Sequence, residues 1–143
     1  MSTNASRNTT TGLRFEDRVC GKNTNGINLS KGDLYKYMKS KGLNWENYLS
    51  RKLLPDEAYL DYENDELRVY EKKYQHCDGS ADEKPQTCGF KVHQFTKLAN
   101  ALGVSRATYT YIFNKWFEQS KYKDMLDYIK SVDGCDYYFS DEP

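Results

Sequence analysis

The sequence has no apolar run that approaches the roughly 20 residues of a transmembrane helix. Its first residues, MSTNASRNTTTG, lack the apolar block and the cleavage site of a signal peptide. Its four cysteines, Cys20, Cys77, Cys88 and Cys135, are scattered without a CxxC pair. These absences argue against a membrane-spanning protein and against a disulfide-rich secreted one. They predict a soluble, cytoplasmic chain with reduced thiols.

The chain also lacks net charge, because 21 basic residues balance 21 acidic ones. This balance argues against strong non-specific binding of nucleic acid. The charges are unevenly distributed: the segment up to Lys52 holds ten basic and four acidic residues, and the remainder is acidic. A basic flank suits the approach of a polyanion to carboxylates, whereas a solvated basic helix surface is the alternative.

A chain of 143 residues is long enough for one domain with one hydrophobic core. We expect a disordered leader over residues 1–11 and a single domain over 12–143. Periodicity predicts the order α, α, β-hairpin, α, β, α, β, which is an α/β fold with a central mixed sheet flanked by helices. The predicted strands are about 53–62 and 66–75, which form the hairpin, then 104–113 and 135–140.

Helix boundaries are predicted from capping residues. The segment TTTGLRFEDRVCGK is predicted to form the first helix, with Thr10 or Thr11 as its cap. Ser30 and Asp33 resemble a capping box that opens the second helix, and Gly42 suits its end. Gly103 ends the third helix, and Ser120 caps the fourth. Core spacing is predicted for Phe95, Leu98, Ala99, Leu102, Met125, Ile129 and Val132.

The hairpin has a predicted register. If Asn64 and Asp65 form a two-residue turn, Asp56 faces Lys73 and Ala58 faces Glu71. Three favourable cross-strand pairs on the opposite side support this register, namely Glu57 with Lys72, Tyr59 with Tyr70, and Asp61 with Arg68.

One face of this hairpin changes from apolar near the turn to ionisable at the far end. Asp56, Glu71 and Lys73 lie on that face because side chains alternate along a strand. The two carboxylates are predicted to converge on one divalent ion, with the lysine ammonium beside it. Removing either carboxylate is then expected to preserve or raise the stability of the metal-free protein, because like charges repel. A sheet-edge salt bridge between Asp56 and Lys73 is the alternative.

The pattern Pro55-Asp56 … Glu71-Lys72-Lys73 resembles the signature of the PD-(D/E)xK nucleases, the restriction-endonuclease-like superfamily. In that family, a PD on one strand and an ExK on its partner bind the catalytic metal. The resemblance implies Asp56 and Glu71 as metal ligands and Lys73 as the catalytic lysine. The region from Lys73 through GSADEKPQT also resembles that of small bacterial and phage members.

The likeness extends to Gln75, which matches a glutamine two positions after the lysine in several branches of the family, and to the element order over about residues 10–139. It implies a Mg²⁺-dependent DNA endonuclease of restriction type, in which Mn²⁺ can substitute. Because each chain has one site, cutting both strands of double-stranded DNA most simply uses a two-fold homodimer or a higher homo-oligomer.

Members of the family often carry a further acidic residue on the first helix, and Glu16 matches it. Glu16 falls inside the apolar arc of its helix, where a carboxylate needs a partner such as a metal. A glutamate that is favoured by the helix dipole or paired with an arginine is the alternative. Two other functions stay open, namely a catalytically silent nucleic-acid-binding module and an exonuclease or resolvase of the same fold.

DNA is predicted to contact basic side chains on the second helix and on the segment that leads to Asp56. These are Lys31, Lys36, Lys39, Lys41, Arg51 and Lys52. Lys84 and Gln86 open the next helix, where free N–H groups and a lysine suit a phosphate. Capping of that helix by Ser80 and Glu83 is the alternative.

Two further sets of residues have side chains that can bind a metal or stack on bases. His76, Cys77, Cys88 and His93 suggest zinc, but their spacing matches no zinc finger. The aromatic residues near the fourth strand are predicted to form core or interface and not base-stacking platforms. They are Tyr109, Tyr111, Trp116 and Phe117.

Overall fold

The computed structural model describes residues 26–76 and 84–140. Within these ranges the chain forms one five-stranded sheet and three α-helices. The strands are β1 (Ile27–Asn28), β2 (Glu57–Asp61), β3 (Glu66–Lys73), β4 (Arg106–Phe113) and β5 (Cys135–Phe139). The helices are α1 (Asp33–Ser40), α2 (Cys88–Leu102) and α3 (Lys123–Ser131). In the described part of the chain, no helix has both the length and the apolar character needed to cross a membrane.

The sheet is mixed and open, with the strands in chain order from β1 to β5. The first three strands pair antiparallel, whereas β4 and β5 join in parallel. Parallel neighbours need a long crossover, usually a helix, and α2 and α3 provide the two crossovers here. The α/β class and the four predicted strands are thus confirmed, and β1 is an additional edge strand. The predicted leader over residues 1–11 and the first predicted helix lie outside the described residues.

The hairpin register differs from the prediction by two residues. Ala58 pairs with Val69 and Leu60 with Leu67, because the turn spans four residues, 62–65, and not two. The Asp61 carboxylate stabilises this wider turn by accepting hydrogen bonds from the Asn64 N–H at 3.0 Å and its side-chain amide at 2.7 Å. A shift of two residues leaves every side chain on its predicted face.

The predicted cross-strand partners still contact each other in the observed register, but as diagonal neighbours instead of directly opposed ones. Lys72 contacts Glu57 at 3.0 Å, and Arg68 contacts Asp61 at 2.8 Å. The rings of Tyr59 and Tyr70 meet edge to face, with their centroids 6.2 Å apart. Diagonal neighbours on one face are within reach of long side chains, so charge pairing alone does not distinguish the two registers.

Most predicted helix ends are correct, but the predicted caps at helix starts are not. Gly42 and Gly103 follow α1 and α2 with φ values of 78° and 98°, a conformation that favours glycine. Ser30 does not cap α1; its hydroxyl donates to the Asn28 side chain at 2.6 Å instead. Ser120 opens a 3₁₀ turn that precedes α3.

The core lies between α2 and one face of the sheet. Phe95, Leu98, Ala99 and Leu102 of α2 are buried as predicted, and so are Met125 and Ile129 of α3, while Val132 is half-buried. On the sheet, a ladder of aromatic rings on β4 meets α2, and its members are Tyr109, Tyr111 and Phe113. Of the four aromatic residues predicted to form core or interface, Tyr109, Tyr111 and Phe117 are buried, and Trp116 is half-buried and packs against the core.

Candidate functional site

The residues of the PD and ExK pattern meet where β2 begins and β3 ends. Glu71 and Lys73 belong to β3, and Asp56 immediately precedes β2. An oxygen of the Asp56 carboxylate accepts a hydrogen bond from the Lys72 N–H at 3.0 Å. Continuing the observed register by one residue sets Asp56 opposite Glu71, whereas the predicted register set it opposite Lys73. Opposite residues on one face have Cβ atoms about 5 Å apart and diagonal ones about 7 to 8 Å, so the continued register corresponds to a shorter separation of Asp56 and Glu71 than the predicted register does.

Glu71 accepts hydrogen bonds at both carboxylate oxygens. The Lys73 ammonium contacts Oε2 at 2.7 Å, and the Tyr109 hydroxyl donates to Oε1. Burial acts to raise the pKa of Glu71, but the hydrogen bonds from Lys73 and Tyr109, with the charges of Lys73 and Lys91, outweigh it, and the pKa lies below its ordinary value. Glu71 is therefore ionised near neutral pH. The ion pair that forms is Lys73 with Glu71, and not the alternative bridge from Lys73 to Asp56.

Lys91 of α2 adds a second positive charge to this group. Its ammonium lies 5.6 Å from the centre of the Tyr109 ring. The pKa of Tyr109 is raised, first by burial and then by the charge of Glu71 and, to a smaller extent, that of Asp56. We call Asp56, Glu71, Lys73, Lys91 and Tyr109 the carboxylate site. The negative charges of its two carboxylates are matched in number by the positive charges of its two lysines.

Gln75 lies two residues beyond β3, and its backbone forms two hydrogen bonds with the side chain of the buried Asn114. The Gln75 N–H donates to the Asn114 side-chain oxygen at 3.1 Å, and the Asn114 amide donates back to the Gln75 carbonyl at 2.7 Å. This double contact ties the end of β3 to the end of β4. It fixes the backbone that follows Lys73.

The donor atoms of the carboxylate site suit Mg²⁺ better than a metal that needs a full protein cage. Among the described residues, no group of three or more histidine, cysteine, aspartate or glutamate side chains lies close enough to bind one ion. Mg²⁺ commonly uses one or two carboxylates and completes its shell with water and substrate phosphate. Asp56 and Glu71 supply two such carboxylates. Glu16, the third candidate ligand, lies outside the described residues.

The basic residues predicted to contact DNA are exposed, and their segment adjoins the site. These residues are Lys31, Lys36, Lys39, Lys41, Arg51 and Lys52. The Lys31 N–H donates to the Pro55 carbonyl at 2.7 Å, which joins the start of this segment to the residue before Asp56. The Lys52 ammonium lies 5.0 Å from the centre of the Tyr35 ring and 5.4 Å from that of Trp45. Lys84 and Gln86 are also exposed, at the 3₁₀ turn before α2.

The structure does not bring the zinc candidates together. Cys88 is buried and its thiol contacts that of Cys135, whereas His76 and His93 are exposed. Cys77 lies outside the described residues. Cys88 therefore belongs to the core.

Sequence reasoning missed Tyr109, Lys91 and Asn114 as site residues. The aromatic alternation on β4 was visible, but only the parallel pairing of β4 with β3 sets Tyr109 diagonal to Glu71. The spacing of Lys91 and Phe95, four apart on α2, was the available signal that Lys91 shares the face that packs on Tyr109.

The opposite face of the sheet carries a polar groove of about 450 Å³. It is lined by alternate residues of β3, β4 and β5, among them Arg68, Thr108, Thr110, Asp136 and Tyr138. These side chains point away from the carboxylate site, so the groove is separate from it.

Comparisons with protein-family models, with curated proteins and with solved structures find no match for this chain.

Proposed function

We propose that this chain is a metal-dependent DNA endonuclease with a restriction-endonuclease-like core. The observation that carries the proposal is the arrangement of Asp56 beside Glu71, with the Lys73 ammonium 2.7 Å from the Glu71 carboxylate. The resemblance of the PD and ExK pattern to the PD-(D/E)xK nucleases supports it. The four-residue turn supports it as well, because the register that it sets, continued by one residue, puts Asp56 opposite Glu71.

In this proposal, Asp56 and Glu71 bind Mg²⁺ through their carboxylate oxygens. A Mg²⁺ ion held there would supply a bound water of lowered pKa and positive charge opposite the phosphate. Lys73 orients the attacking water and stabilises the negative charge that builds on the phosphate oxygens. Asn114 keeps the backbone beyond Lys73 in place through Gln75. One site per chain makes a two-fold dimer the simplest assembly for cutting both strands.

The experiment compares cleavage of closed circular and linear double-stranded DNA by the purified protein, with and without Mg²⁺. An endonuclease nicks or linearises the closed circle, and this activity should require the metal. Degradation of linear DNA alone would favour the exonuclease alternative. DNA binding without cleavage in either metal condition would favour the silent module.

Lys73→Ala is the decisive variant. It should lower cleavage by several orders of magnitude while changing the thermal midpoint by only a few degrees, because Lys73 is about a quarter exposed and acts on the reaction. Lys72→Ala is the matched control, since that ammonium contacts Glu57 on the opposite face at 3.0 Å. The control should still cut below its own melting temperature. Full Mg²⁺-dependent cleavage by Lys73→Ala would contradict the assignment.

A further inference from the structure

Tyr109 is held rigidly beside the carboxylate site. Its side chain is buried, and its ring stacks on Phe95 with the centroids 5.8 Å apart. The edge of Tyr111 closes the other side at 5.3 Å between centroids. A ring packed in this way has little rotational freedom, so the direction of its hydroxyl is set by the core.

The two donors to Glu71 differ in stiffness. Lys73 is a long, flexible side chain at the edge of the site, about a quarter exposed, and it contacts Oε2. Tyr109 contacts Oε1 from a strand that is paired on both sides. The stiff donor, and not the flexible one, therefore determines the orientation of the carboxylate plane.

We propose that Tyr109 is a positioning residue for metal binding, whose hydroxyl holds the Glu71 carboxylate in the orientation that binds the divalent ion. This role rests on the proposed function of the carboxylate site. Partners that orient a ligating carboxylate typically contribute about 10- to 100-fold to metal affinity or activity. Tyr109 does so without touching the ion or the DNA.

The two tyrosines of β4 offer a matched pair of variants. Tyr109→Phe removes the hydroxyl that contacts Glu71 and keeps the stacked ring. Tyr111→Phe removes a hydroxyl from the next ring on the same face, which is equally buried and has no hydrogen-bond partner among the described residues. Both changes remove one oxygen atom from the core, so a general packing effect should appear in both.

The test is calorimetric titration of each protein with Mg²⁺, and with Ca²⁺ as a second probe, in the absence of DNA. Tyr109→Phe should bind each ion about 10- to 100-fold more weakly than the wild type, whereas Tyr111→Phe should bind them equally well. In cleavage assays, Tyr109→Phe should need more Mg²⁺ for half-maximal rate. Its KM for DNA should be unchanged, and high Mg²⁺ should restore most of its kcat.

A double variant provides a second test of the same contact. In a Glu71→Gln background the residual metal affinity should not fall further when Tyr109→Phe is added. The reason is that Glu71→Gln has already replaced the carboxylate that the Tyr109 hydroxyl contacts. An additional loss there, or equal affinities for Tyr109→Phe and Tyr111→Phe, would overturn the positioning role alone. A wild-type protein that neither binds Mg²⁺ nor cuts DNA would overturn the proposed function and this role with it.

Discussion

Glu71 is more acidic than an ordinary glutamate even though it is largely buried. Burial alone would raise its pKa, but Lys73, Tyr109 and Lys91 together stabilise the ionised form more strongly. The metal-free fold therefore already compensates the charge of this carboxylate. This reverses the sequence-based expectation that removing Glu71 should leave the metal-free protein as stable or make it more so.

We expect Glu71→Gln to destabilise the metal-free protein near neutral pH by about 1 kcal/mol, because it weakens charged hydrogen bonds with Lys73 and Tyr109. The pKa of Glu71 is lowered in the folded state, so its contribution is present above the ordinary value of 4.5 and is lost as the pH falls through the folded pKa. Denaturant unfolding across this acidic range should give a flatter pH dependence for Glu71→Gln than for the wild type.

Asp127→Asn is the control for this comparison. Asp127 pairs with Lys123 on the surface of α3, where both side chains are more than half exposed. Exposed pairs contribute about 0–1 kcal/mol, so the control should follow the wild-type curve closely. Parallel pH curves for Glu71→Gln and the wild type would contradict the stabilising role of the Glu71 contacts.

At the scale of elements, the ends of β3 and β4 are joined by the contact between Asn114 and Gln75. Asn114 is buried, and its amide pairs with both the N–H and the carbonyl of Gln75. This contact lies just past Lys73, where the backbone ladder between the two strands ends. The two hydrogen bonds from the Asn114 side chain hold β3 and β4 together beyond the last backbone pair of the ladder. They therefore stabilise the strand end that carries the carboxylate site.

Asn114→Ala should therefore lower the free energy of unfolding by about 1–3 kcal/mol, since it leaves two backbone groups of Gln75 without these partners. Asn47→Ala, at an exposed asparagine of the 3₁₀ turn after α1, is the control and should change stability little. Denaturant unfolding of the two variants measures the difference. Equal stability of the two variants would mean that the Asn114 contact contributes nothing to the fold.

At the scale of the whole molecule, the residues just before α1, where the basic segment begins, are hydrogen-bonded to the backbone on either side of Asp56. The Leu29 N–H donates to the Ala58 carbonyl at 2.8 Å, and the Lys31 N–H donates to the Pro55 carbonyl at 2.7 Å. These backbone contacts place the start of α1 next to the carboxylate site. The basic segment of the sequence thus begins beside the residue that precedes Asp56.

We expect DNA affinity to fall with salt at a slope of about −0.9 per phosphate contacted, because each contact releases condensed counterions. Replacing Lys36 and Lys39 of α1 by glutamate should flatten this slope and weaken binding to all sequences alike, since phosphate contacts carry no base information. Binding measured in Ca²⁺, which often supports docking without turnover, separates this step from cleavage.

A charge-matched control is available on α3. Lys123 and Lys130 are exposed, and replacing both by glutamate changes the net charge by the same amount. A similar loss in both double variants would indicate a general charge effect and not a contact surface on α1. An unchanged slope in the α1 variant would move the contact to the region of Lys84 and Lys91.

The sequence by itself determined the order of the elements from α1 to β5, the ends of α1 and α2, and the face on which each hairpin residue lies. Gly42 and Gly103 end their helices because few other residues tolerate positive φ. Asp56, Glu71 and Lys73 share a face because strand side chains alternate, and a register shift of two residues preserves that alternation. These properties depend only on neighbours along the chain.

Tertiary structure decided which residues meet. β1 exists as a strand only because it pairs with β2. The hairpin register, by contrast, depends on a local contact of Asp61 with Asn64 that stabilises a four-residue turn, where the sequence predicted a two-residue turn. Tyr109 and Asn114 reached Glu71 and Gln75 through the parallel pairing of β4 with β3, across nearly forty residues of chain. Local patterns do not specify which strands become neighbours, because that choice depends on packing the whole core at once.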